Sequence, residues 1–233
     1  MSIVKILLAL AALAVLSCSR KPYAPPYVEY PSKPSRPSPR DDAPPSPPPV
    51  SSPSKPSTAA SGTLTDARDG RGYRWVKIGT QVWMAENLNY AASGSVCYDK
   101  QESNCDKYGR LYKWATAMSV CPDGWHIPSD AEWTTLTDFV GGLPEVGIKL
   151  KATNGWSKDG NGTDAYGFAA LPGGSGYLSG KFKNAGYYSY WWSASESSAN
   201  YAYGRLITYK HESARWGYGN KPFLFSVRCL RDN

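Results

Sequence analysis

Residues 112–140, YKWATAMSVCPDGWHIPSDAEWTTLTDFV, decide the fold, because they read as two short amphipathic helices joined by a tight turn. In the first helix Trp114, Ala117, Met118 and Cys121 recur at helical spacing and so share one face. Pro122, Asp123 and Gly124 then break the pattern with turn chemistry. Ser129-Asp130-Ala131-Glu132 announces the second helix as a capping box, in which the Ser129 hydroxyl and the Glu132 carboxylate satisfy two orphaned backbone N–H groups. Trp133, Leu136 and Val140 continue an apolar stripe. Nothing in the stretch has the arrangement of a catalytic site.

Upstream, an alternating run (Tyr73 to Ile78), a Gly79-Thr80 turn and the run from Gln81 to Met84 predict a β-hairpin. Downstream, residues 141–186 read as loop-rich, with Trp156, Phe168 and Leu171 as core anchors. Within them DGNGTD at 159–164 spaces oxygen ligands at alternate positions, as a calcium loop does. It lacks the distal Glu of an EF-hand, and a polar turn with Asx hydrogen bonds is the expected reading. YYSYWWS at 187–193 is the densest aromatic run, and strand geometry would put Trp191 and Trp192 on opposite faces, one in the core and one exposed. Tyr201, Tyr203, Arg205, Ile207 and Tyr209 then alternate with smaller residues, and residues 223–230 read as a final central strand.

The 233 residues hold nine Trp and seventeen Tyr, and the net charge is +7. Residues 19–60 hold six basic and three acidic residues, so residues 61–233 are left with nineteen basic and sixteen acidic ones. A phosphate-binding surface gathers its basic residues into a patch. Here they are interspersed with acids, and nucleic-acid binding is not expected.

The N-terminus carries an address. Lys5, an apolar run from Ile6 to Leu16 and Ser17-Cys18 form an export signal too short to span a bilayer. VLSC at 15–18 resembles the lipobox of bacterial lipoproteins. That resemblance implies removal of residues 1–17, lipidation of Cys18 and anchoring in the cell envelope, with Ser19 directing the protein to the outer membrane. Residues 18–60 hold fourteen of the nineteen prolines and no apolar periodicity, the composition of a disordered, polyproline-rich spacer. PPSPPP at 44–49 is open to a second use as a ligand for a proline-binding groove. The globular domain is expected over 61–233.

Once Cys18 is lipidated, Cys97, Cys105, Cys121 and Cys229 remain, and in an exported chain they argue for two disulfides. Three pairings are possible. Cys97–Cys105, closing a local loop, and Cys121–Cys229, tying the first helix to the last strand, are preferred. No CxxC spacing exists and His126 and His211 are isolated, so no metal or cofactor is expected.

Five segments resemble one family: IGTQVWMAENL (78–88), YGRLYKW (108–114), CPDGWHIP (121–128), GFAALPGG (167–174) and SVRC (226–229). In order and spacing they look like the Fibrobacter succinogenes major paralogous domain, found in secreted and lipid-anchored bacterial proteins. A weaker resemblance links that domain to the C-type lectin-like fold, shared by the formylglycine-generating enzymes. It implies an α+β fold with two short helices packed on small antiparallel sheets, many loops and two disulfides. The sugar-reading Glu-Pro-Asn or Gln-Pro-Asp with Trp-Asn-Asp of the calcium-dependent lectins is absent. So is the paired reactive Cys of the formylglycine-generating enzymes, and neither activity carries over.

The expected function is a non-catalytic binding module displayed on the cell surface, with a polysaccharide or another envelope polymer as partner. Trp192, Tyr201, Tyr203, Trp216 and Tyr218 are the candidate stacking rings and Arg205 their polar partner. The same rings would also serve an envelope structural or adhesion protein with a protein partner. An enzyme would draw on His126 with Asp130 or Glu132, or on Glu86 with Asp164, but no spacing specifies either set.

Overall fold

The computed structural model describes the backbone of Tyr27–Glu29 and residues 60–232. The expected signal peptide, Cys18 and the rest of the spacer lie outside the described residues. In chain order the first elements are strands β1 (Tyr27–Glu29), β2 (Ser61–Thr65), β3 (Gly72–Ile78) and β4 (Gln81–Met84). Helix α1 (Glu102–Tyr108), strand β5 (Leu111–Tyr112), the one-turn helix α2 (Trp114–Ala117) and strand β6 (Trp125–His126) follow. Helices α3 (Asp130–Phe139) and α4 (Leu143–Leu150) precede the short strands β7 (Ser175–Gly176) and β8 (Phe182–Lys183). The chain closes with β9 (Tyr188–Ser198), β10 (Tyr201–Thr208), β11 (Ala214–Asn220), β12 (Phe225–Ser226) and β13 (Leu230–Arg231).

Two sheets organise these elements, one in the order β1-β11-β10-β9-β12-β5 and the other β2-β3-β4-β13-β6. β7 and β8 pair separately. The fold is therefore α+β with small, mostly antiparallel sheets. The hairpin at 72–84 forms as the sequence predicts, with Ile78 opposite Gln81 and Gly79 in the left-handed region at φ +61°.

The expected final strand over 223–230 is in fact two. β12 lies between β9 and β5 in one sheet, β13 between β4 and β6 in the other, and Val227-Arg228-Cys229 crosses between them. Both disulfides form in the preferred pairing, Cys97–Cys105 and Cys121–Cys229.

Among the described residues four short α-helices form where two helices were expected. The capping box holds: Glu132 N donates to Ser129 Oγ at 3.3 Å and Ser129 N donates to Glu132 Oε2 at 2.7 Å. Trp133, Leu136 and Val140 are buried along the predicted stripe. The first predicted helix, however, ends at Ala117, leaving Met118 exposed and Cys121 in the following turn. Pro122 accounts for Cys121 lying outside the helix, because a residue before proline is pushed away from helical dihedrals. α4 lies in the stretch that reads as loop-rich, with Gly142 at its N-cap and Gly147 inside it. Gly147 lets the helix touch the chain at Glu212, where an added Cβ would collide with backbone oxygens. Ile148 N fixes that contact by donating to Glu212 O at 2.7 Å.

The core consists of two apolar clusters that share β9. Trp192 packs with Tyr112, Leu206, Phe225 and Val227, while Trp191 packs with Trp83, Trp133, Phe168 and Ile207. Both tryptophans are thus buried, at 1% and 0% exposure, against the expectation of one exposed ring. They do point to opposite faces, but β9 is covered on both. Each such ring contributes roughly 2–3 kcal/mol through burial. Among the described residues no helix is long and apolar enough to cross a membrane.

Candidate functional site

Strands β10 and β11 build the aromatic face. Their antiparallel register sets Tyr203 opposite Tyr218 and Arg205 opposite Trp216. Directly opposed residues share a face and neighbours along a strand alternate. Tyr201, Tyr203, Arg205, Trp216 and Tyr218 therefore project to one side, and Ala202, Gly204, Leu206, Gly217 and Gly219 to the other. Five of the six candidate residues are brought together.

Trp192 is not among them. It pairs across β9–β10 with Gly204, so it faces the other side, and its ring lies tilted against Phe225 in the core with centroids 4.3 Å apart. The assignment of Trp192 as a ligand-binding ring is corrected on that ground.

Of the remaining rings, Tyr201 is 36% exposed, while Tyr203, Trp216 and Tyr218 are half-buried. Tyr201 and Tyr218 meet edge to face at 5.3 Å. Arg205 is buried, with its Nη1 on Asp130 Oδ1 at 2.6 Å and Nη2 donating to Asp130 O at 2.9 Å. Its guanidinium also covers Trp216 at 5.1 Å. Arg205 consequently positions Trp216 and docks α3 against the sheet, and the role of polar partner to a ligand does not fit it. Asn220, opposite Tyr201 and half-buried, is the polar neighbour the sequence reading missed. Its only signal is strand register, which alternation within a single strand does not reveal.

The residues weighed for catalysis are engaged elsewhere. His126 Nδ1 meets Asp232 Oδ1 at 2.6 Å and Nε2 meets Glu132 Oε1 at 2.9 Å, so both ring nitrogens are occupied. Burial opposes the charged imidazolium, but the bonds to Asp232 and Glu132 outweigh it and raise the pKa of His126. Burial likewise opposes the Glu132 carboxylate, and hydrogen bonds from Ser129 and His126 outweigh it and lower its pKa. Glu86 accepts from Arg74 at 2.6 Å, and Asp164 accepts from the Ala169 N–H at 2.7 Å. Asn161 Oδ1 likewise accepts from Trp156 N at 3.1 Å, so both side chains tie residues 159–164 to backbone five residues away.

The arrangement can stack flat apolar surfaces on the rings and offer hydrogen bonds beside them. The family model of the Fibrobacter succinogenes major domain matches residues 76–231. No curated protein and no solved structure matches the chain.

Proposed function

We propose a binding role for this chain, which belongs to the Fibrobacter succinogenes major domain family. In this reading it is a non-catalytic module that holds a polysaccharide or another envelope polymer on the face of β10 and β11. The observation that supports it is the gathering of Tyr201, Tyr203, Trp216 and Tyr218 on one side of one strand pair. Rings on a sheet face form a platform, which suits the flat faces of an extended polymer. Asn220 supplies hydrogen-bonding capacity at its edge. An envelope adhesion role with a protein partner is the alternative, since aromatic residues also anchor protein interfaces.

The test is retention of the full chain on insoluble polysaccharides, beside the Tyr203→Ala and Trp216→Ala variants. Retention that both variants lose supports the reading; no retention on any polymer overturns it.

In the same reading Cys18 is lipidated after removal of residues 1–17. The spacer then presents the domain at the envelope, anchored to the outer membrane. Palmitate labelling checks this: incorporation unchanged in Cys18→Ala contradicts the anchor.

A further inference from the structure

A second concavity lies apart from the aromatic face, and none of the rings of β10–β11 lines it. It is a cleft of about 410 Å³ between β3, the loop after β4, the end of α1 and the loop at 152–171. Four of the five segments that carry the family resemblance meet there, through Glu86 and Asn87, Tyr108 and Gly109, Leu171, and Arg228.

Its floor is rigid. Asn87 Oδ1 accepts from Arg228 Nε at 3.1 Å and Nη2 at 2.8 Å, and from Trp191 Nε1 at 2.8 Å. Asn87 Nδ2 donates to Tyr108 O at 2.8 Å. Gly109, at φ +75°, lies so close to residues 87 and 88 that a Cβ would come within 2.8 Å of the Leu88 carbonyl oxygen.

Asn89 departs from this saturation. It lines the cleft at 7% exposure, and its backbone N–H donates to the Tyr73 hydroxyl at 3.1 Å. Its side-chain Oδ1 is buried with no partner in the protein. A buried acceptor left unpaired costs about 1–3 kcal/mol, which a donor entering the cleft recovers.

The charges around the cleft indicate what that donor belongs to. Arg74 is paired with Glu86 at 2.6 Å and Arg71 with Asp106 at 3.6 Å. An anion would meet the carboxylates of Glu86, Asp106 and Asp164, and a cation would meet Arg71, Arg74, Arg228 and Lys107. A neutral molecule rich in hydroxyls meets neither repulsion and finds both donors and acceptors. The volume lies within the ~300–1,000 Å³ of small-molecule sites.

We propose that this cleft binds an uncharged sugar unit, with Asn89 Oδ1 accepting one of its hydroxyls. The site is independent of the aromatic face, so either can fail without the other.

The test is hydrogen exchange of the full chain with cellobiose, maltose or N,N′-diacetylchitobiose, and with glucuronate as the anionic counterpart. At a sugar concentration near twice Kd, exchange across residues 85–90 and 105–110 slows about threefold for at least one neutral sugar and not for glucuronate. Asn154→Trp, a substitution at an exposed residue that fills the cleft mouth, abolishes the slowing, and Asn89→Leu weakens it. The proposal is overturned by no slowing at these residues with any neutral sugar, or by equal slowing with glucuronate. Slowing retained in Asn154→Trp also overturns it. Slowing confined to residues 201–220 overturns it as well, while supporting the aromatic face as a sugar site.

Discussion

Arg205 lies over the ring of Trp216 at 5.1 Å while Asp130, at the start of α3, holds its Nη1 at 2.6 Å. One buried guanidinium thus ties the aromatic strand pair to the helix that the capping box begins. The Arg205 side chain is only 4% exposed, so it depends on that carboxylate. Asp130→Ala leaves the charge uncompensated and is expected to destabilise the domain by roughly 2–3 kcal/mol, the lower end because Asp130 itself is partly exposed. Adding Arg205→Met should recover much of the loss. Urea denaturation of both variants checks this, and recovery failing to appear would show that Asp130 acts through something other than Arg205.

A pH dependence follows from His126. Its folded pKa is raised, so its contribution is complete below the unfolded value of ~6.5 and is lost as pH rises through the folded pKa. Glu132 has the opposite sign: its pKa is lowered, so its contribution is present above ~4.3 and is lost as pH falls through the folded value. Stability from this cluster therefore peaks between about pH 4.5 and 6.5. In His126→Asn the decline above that window should flatten, as read from urea midpoints across pH 5 to about 9. An unchanged profile would assign the decline to other groups.

The two disulfides should differ in weight. Cys121 and Cys229 are 108 residues apart, and Cys97 and Cys105 only 8. In the chain-entropy model these loops correspond to about 4–5 and about 2–3 kcal/mol. Cys121→Ser/Cys229→Ser should therefore lower the melting temperature more than Cys97→Ser/Cys105→Ser, and the reverse order would contradict the assignment.

The tail strand is also open to test. Tyr27–Glu29 sits antiparallel against β11, with Val28 opposite Tyr218. Pro26 and Pro31 bracket YVEY in the sequence, and proline suits strand ends and edges. Val28→Pro removes a backbone donor, and exchange of the amides at 217–219 should accelerate. Unaltered exchange there would mean that the pairing does not protect β11.

Much of the frame was legible because its signals are local. The Ser129–Glu132 box, the Gly79 turn and the cysteine spacing each act within a few residues or by simple counting. What was missed depends on distant partners. Residues 141–150 read as loop because the contact of Gly147 with Glu212 leaves no local mark, and Arg205 reads as a ligand's polar partner until Asp130 arrives. Strand alternation places Trp191 and Trp192 on opposite faces, but it does not say that β9 is covered on both. The Asn87–Arg228 network joins positions 141 residues apart and leaves no mark in either segment.

The most direct measurement of the central claim is a binding isotherm of the full chain on whichever insoluble polysaccharide retains it, against Tyr201→Ala/Tyr203→Ala. Tyr203 is half-buried and Tyr201 packs on Tyr218, so the melting temperature of the double variant is read beside the isotherm to establish that it is folded. The double variant should lose about tenfold or more in affinity, equivalent to ~1.4 kcal/mol. Wild-type affinity in a folded double variant would contradict it.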